Sequence, residues 1–90
     1  MTTHNIDIQH QPEQRRFILD FEKQQAVLEY ALETNPAGIT TIDFYSTYVP
    51  PEFRGKGFAE KLVRHGMAWA RRQNYVMQAS CWYAEKFLRD

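Results

Sequence analysis

Residues 49–63 read VPPEFRGKGFAEKLV: two prolines, then an arginine and a lysine interleaved with two glycines, then the opening of an amphipathic pattern. A glycine inside a helix costs about 1 kcal/mol relative to alanine, so a pair placed where a helix begins calls for an explanation. At a helix N-terminus the first backbone N–H groups have no partner within the helix, and the aligned peptide dipoles add positive potential. Glycines let an anion such as a phosphate approach that backbone closely, and Arg54, Lys56 and Lys61 would add charge-assisted contacts. The plainer alternative is a tight strand-to-helix turn with solvated cations, and Arg-Gly-Lys-Gly alone suits both. Two familiar phosphate motifs fail on spacing. The dinucleotide fingerprint needs a third small residue where Glu60 stands, and it follows the first strand of a βαβ unit. The P-loop needs Lys-Ser/Thr after its last glycine, where this chain has Phe58.

Downstream of the turn the pattern is helical. Phe58, Leu62, Val63, Gly66, Met67 and Ala70 recur on one face through about Asn74, and Glu60 and Arg64 form an i,i+4 pair in the favoured order. YVMQASC, residues 75–81, reads as a short strand, and WYAEKFLRD, residues 82–90, as a final short helix. Upstream, three runs alternate at period two. RRFILDF places Phe17, Leu19 and Phe21 on one face. AVLEYAL places Leu28, Tyr30 and Leu32 together, the polar EKQQ between the two marking a hairpin. ITTIDFYSTYV places Ile42, Phe44, Ser46 and Tyr48 on one side. Pro50 and Pro51 end ordinary pairing because neither donates a backbone N–H. Residues 1–14 are polar and without period and read as an arm, leaving 15–90 as a single domain. The order of three strands, helix, strand, helix predicts an α/β (α+β) fold, an antiparallel sheet closed by a parallel β-α-β crossover.

Ninety residues hold one small core, and 43% hydrophobic with 24% charged content is that of an ordinary globular domain. Eleven cations balance eleven anions, which argues against a general nucleic-acid or membrane-surface binder. No apolar run approaches the ~20 residues of a membrane span, and the first fifteen residues lack the pattern of a secretion signal. A single cysteine, Cys81, allows no internal disulfide and no cysteine-rich zinc site. A cytoplasmic, metal-free protein is the expectation. His4 and His10 fall in the polar arm and read as solvated. His65 lies on the polar side of the main helix with no partner at metal-ligand spacing. Trp69, Trp82 and Met67 read as packing residues.

Arg54-Gly55-Lys56-Gly57-Phe58-Ala59 matches the Arg/Gln-x-x-Gly-x-Gly/Ala signature of the GNAT superfamily of N-acetyltransferases, in its setting of a disrupted strand, this turn and an amphipathic helix. With Thr47-Tyr48-Val49-Pro50 before it and Ser80-Cys81-Trp82-Tyr83 after it, residues 16–90 resemble the very short, cysteine-containing proteins of that superfamily. The resemblance implies a minimal GNAT-like fold and an acetyl-CoA-dependent N-acetyltransferase. The backbone around Tyr48 and Val49 would bond the pantetheine arm like an added strand. The amides of Gly55, Lys56, Gly57, Phe58 and Ala59 would hold the coenzyme A pyrophosphate, with Arg54, Lys56 and Lys61 near the phosphates.

Cys81 stands where the last strand hands over to the final helix. A helix N-terminus favours the thiolate, the nucleophilic form, although a lone cysteine is also commonly a small buried hydrophobe. In the resembled proteins a cysteine occupies this place and is proposed to act in acetyl transfer. Either Cys81 accepts the acetyl group and passes it to an amine, or an amine attacks acetyl-CoA directly beside it. Tyr83 is the second catalytic candidate, by the resemblance as proton donor to the departing coenzyme thiolate; Phe87 reads as packing. Three departures bear on this. Ser46 stands where relatives often carry histidine. Ala79-Ser80 and Trp82 stand where many have proline. The longer acetyltransferases shape the acceptor pocket with N-terminal helices, for which a first strand near Arg16 leaves no room. The acceptor amine is therefore unspecified, and its site is open, completed by a partner or a second copy as in a homodimer, or absent. The last case would make the chain a non-catalytic acyl-CoA-binding or sensing module. A protein-interaction domain with a purely structural glycine turn would bind no coenzyme.

Overall fold

Strands form where apolar side chains alternate, because one face of each can then be buried while the other meets water. The computed structural model of the protein describes residues 6–88. Strands β1 (Asp7–Gln11), β2 (Arg16–Phe21), β3 (Gln24–Thr34), β4 (Thr40–Tyr48) and β5 (Val76–Ala79) lie side by side in sequence order in one sheet. The first four are antiparallel. β5 pairs parallel with β4, after a crossover through α1 (Phe58–Arg72), and α2 (Trp82–Leu88) follows it. This is the α+β architecture that the element order predicts.

Glu22 and Lys23 both adopt positive φ, 49° and 68°, and close the β2–β3 hairpin as a two-residue loop whose twist matches the strands. Between β3 and β4, the Asn35 side chain accepts hydrogen bonds from the amides of Ala37 and Ile39, both at 3.0 Å. Phe17, Leu19, Leu28, Tyr30, Ile42 and Phe44 face the helices and are buried. All six residues of the helical pattern, from Phe58 to Ala70, are buried on α1, and Ala84 of α2 joins the same core. Gly66 allows the close approach: a Cβ there would lie 2.9 Å from Leu28 Cδ2. α1 stops two residues short of the expected Asn74, which turns into the left-handed region at φ 63°.

Two expectations are overturned. The polar arm is in part a strand: residues 7–11 pair with β2, and Asp7↔Asp20 and Gln11↔Arg16 mark the ends of the ladder. The alternation there is carried only by Ile8 and His10, too little apolar character to register as a strand. His10 is not solvated. Its ring stacks on Phe17 at 4.1 Å, meets Trp69 edge-on at 4.4 Å, and Nε2 lies 2.6 Å from the Tyr30 hydroxyl. Packing against that aromatic cluster holds β1 to the sheet. His4 lies outside the described residues.

The second correction concerns β4. Tyr30 opposes Phe44 and Glu29 opposes Ser46, so Tyr45 is an extra residue in the ladder, a β-bulge. A bulge flips every later side chain to the other face. Ser46 and Tyr48 therefore do not share a face with Ile42 and Phe44. Thr47 takes the helix-facing side instead, opposite Leu28, and Tyr48 is 58% exposed.

Candidate active site

β4 is longer than its parallel partner. β5 accompanies it only over Thr41↔Val76 to Phe44↔Ala79, whereas β3 accompanies it to Tyr48. From Tyr45 to Tyr48 the strand is thus laddered on one side and open on the other. The chain leaving β5 is tied down at the point of divergence. The Ser80 amide and hydroxyl donate to the two carboxylate oxygens of Asp43, at 2.8 and 2.7 Å, and the Cys81 amide donates to the Phe44 carbonyl at 3.1 Å. Charge-assisted bonds of this kind are about twice as strong as neutral ones, so Asp43 fixes where α2 starts.

Cys81 is the residue before the first turn of α2, its carbonyl accepting the Glu85 amide at 2.9 Å. Its Sγ lies 3.2 Å from Thr47 Oγ1. Burial raises the thiol pKa, but hydrogen bonds from the Thr47 hydroxyl and from the amides of Ala84, Tyr83 and Thr47 outweigh it, leaving Cys81 below the ordinary thiol value. The sulfur accordingly occupies the open edge of β4, served by strand on one side and by helix on the other. Tyr83 is pushed the opposite way, first by burial and then by the charge of Glu60, so its hydroxyl stays protonated to higher pH.

The glycine turn closes the other end. Pro51–Phe53 forms a single 3-10 turn whose Phe53 ring is buried against Phe58 at 5.3 Å and Phe21 at 6.0 Å. Gly55 and Gly57 then adopt φ of 82° and 77°, conformations that L side chains rarely take, and a Cβ on either would meet nothing within 4 Å. Backbone shape, not crowding, therefore requires glycine at both places, and the space beside them is open. Gly57 is the N-cap of α1 and no side chain caps that end.

Turn, strand edge and thiol surround one cleft of about 750 Å³. Of the sequence-predicted residues, Tyr48, Val49, Arg54, Gly55, Gly57, Ala59, Cys81 and Tyr83 line it. Lys56 and Phe58 do not: the Phe58 side chain belongs to the core, and Lys56 lines a separate hollow with Glu22 and Glu52. Trp82, expected to pack, is 77% exposed and forms part of the cleft wall. Thr47, Glu60 and Trp82 are walls that the sequence reading did not assign to the site, and Asp43 is a support it missed. A carboxylate inside an otherwise apolar and hydroxylic strand was the available signal for Asp43. Thr47 left none, because the bulge that turns it inward has no signature in ITTIDFYSTYV. His65 is exposed on α1, and among the described residues no group of three or more His, Cys, Asp or Glu side chains gathers as a metal centre would.

"Protein NATD1" of Xenopus tropicalis is 28% identical over 88 residues, covering 96% of this chain and 77% of that protein. The human "Protein NATD1" is 25% identical over 87 residues, covering 94% and 74%. Among solved structures, a ribosomal-protein-alanine N-acetyltransferase from Brucella melitensis biovar Abortus superposes with a TM-score of 0.58 over 71% of this chain at 19% identity. This chain spans half the length of that protein, and the likeness is one of fold. The profile described as GCN5-related N-acetyl-transferase matches residues 16–90, from β2 through the glycine turn to α2, and the chain belongs to that family.

Proposed function

We propose that the protein binds acetyl-CoA in this cleft and transfers the acetyl group to an amine. The observation that carries the reading is the convergence of a glycine cradle, an open strand edge and a hydrogen-bonded thiol on one cleft. Amides at the uncapped start of α1 suit a pyrophosphate, with Arg54 beside them. The free edge of β4 from Tyr45 to Tyr48 suits the amides of a pantetheine arm, which would add to it as a strand does. That arrangement leads the thioester toward Cys81.

Cys81 Sγ, its thiolate favoured by the Thr47 hydroxyl and the amides around it, attacks the thioester carbonyl. The bond to the coenzyme sulfur breaks, and the Tyr83 hydroxyl supplies the proton that the departing thiolate takes up. The acceptor amine then displaces Cys81. A thiol that must stay reduced for this chemistry suits the cytoplasm.

Calorimetric titration with acetyl-CoA, with ATP and NAD as controls, tests the coenzyme half. Saturable binding of acetyl-CoA alone is the expected result, and no heat at millimolar ligand would sink the reading. Cys81→Ala tests the chemistry. The variant should keep its affinity and lose transfer; transfer at the wild-type rate would mean that the amine attacks the coenzyme directly. A wild-type protein that binds acetyl-CoA but transfers to no amine would be an acyl-CoA-binding module.

A further inference from the structure

Lys86 lies one turn beyond Trp82 on α2. Its Nζ is 4.5 Å from the centre of the Tyr83 ring, 5.2 Å from that of Trp82 and 5.6 Å from that of Phe87. Three aromatic rings thus hold one primary ammonium, and two of them, Trp82 and Tyr83, are walls of the cleft that contains Cys81. The chain has four lysines. Lys23 sits in the β2–β3 turn, Lys56 lines the separate hollow, and Lys61 is exposed on α1 outside the cleft wall. Lys86 is the lysine held against residues of the candidate site.

We propose that Lys86 is an acceptor of the protein's own acetyl transfer, so that the chain acetylates itself at the rim of its cleft. The inference rests on the acetyl-CoA reading above. A lysine stem is four carbons long and flexible, so Nζ can swing from the rings of Trp82 and Tyr83 across the wall they form. The ammonium gives one proton to water as it leaves the rings, and the neutral amine attacks the acyl carbonyl, on the coenzyme or on Cys81. A C–N bond forms, the C–S bond breaks, and the departing thiolate takes the proton that the nitrogen gives up, through Tyr83 or water. Because acceptor and donor belong to one complex, the step is unimolecular and needs no acceptor pocket of the usual kind. The product is a neutral amide. It no longer holds the cation–π contacts, and the rim of the cleft loses a positive charge.

The test incubates the purified full chain with isotope-labelled acetyl-CoA and follows intact mass and peptide maps. One acetyl group should appear, on Lys86, at a rate that saturates with acetyl-CoA and does not change with protein concentration. Lys86→Arg keeps a cation over the rings and should lose the label. Acetyl-pantetheine, an equally reactive thioester without the nucleotide, should label the protein far more slowly. Equal labelling by acetyl-pantetheine, label spread over the other lysines, or a rate that rises with protein concentration would each overturn the proposal. Calorimetry on the same sample separates the two failures. Saturable binding with Lys86 unlabelled overturns this inference alone, whereas absence of binding overturns the coenzyme reading with it.

Discussion

Cys81 shows how a single side chain is tuned by its neighbours. Burial alone would make it an inert thiol, and the hydroxyl and amides around it reverse that. Alkylation by iodoacetamide, followed against pH, should therefore reach half its maximal rate below the pH of a free cysteine. Thr47→Val removes the hydroxyl and keeps the shape, so the midpoint should move upward and the rate at pH 7 should fall. An unchanged midpoint would mean that the backbone amides around the thiol do this alone. Cys81 itself was legible in the sequence, as a lone cysteine at a strand-to-helix junction. Its partner was not, since nothing in the pattern Ile42, Phe44, Ser46, Tyr48 announces that Tyr45 is an inserted residue.

At the scale of the element, α1 carries two glycines that do different things. Gly66 is an interior residue whose missing side chain lets the helix lie on Leu28, Phe17 and Phe44. Gly57 is required by its left-handed backbone and faces open space. Gly57→Ala should cost about 1–2 kcal/mol from backbone strain. Gly66→Ala should lose about 1–3 kcal/mol to crowding and recover about 1 from helix propensity. Urea unfolding measures both. Calorimetry then separates them, because only Gly57→Ala should weaken acetyl-CoA binding, by roughly tenfold, the worth of one charge-assisted hydrogen bond. Equal loss in the two variants would remove the cradle from the argument. The helix was the most legible element, its apolar period and its glycine start both being local. β1 was not, because its place depends on aromatic neighbours supplied by β2, β3 and α1.

Across the whole molecule, His10 joins the edge strand to the rest. The ring lies among Phe17 of β2, Tyr30 of β3, and Trp69 and His65 of α1, with Arg15 acting on Tyr30 from the β1–β2 turn. Burial first, and then the charge of His65, hold its pKa below the ordinary value of about 6.5. The folded protein therefore binds fewer protons at His10 than the unfolded chain does when pH falls. Stability from this source is fully present above about pH 6.5 and is lost as pH drops through the folded value. Chemical unfolding should show a plateau at neutral pH and a decline in mild acid. His10→Gln, which keeps a hydrogen-bonding group but does not titrate, should flatten that decline; an undiminished slope would place its origin elsewhere. The sheet and crossover could be read from the order of elements. The cleft could be anticipated only through the residues quoted at its two ends, because the open edge between them depends on where β5 stops.

The strand order has a consequence for how the molecule assembles. β1 to β4 pair only with sequence neighbours, so each contact closes a short loop at small entropic cost. The pairing of β5 with β4 instead joins Thr41 to Val76 across the whole of α1. Folding can thus complete the meander before the last strand docks, and only that final step brings Cys81 to Thr47. The cleft should therefore be the late-forming part of the protein. The segment that completes it, β5 with α2 behind it, should exchange backbone hydrogens through openings that leave β2 and β3 intact.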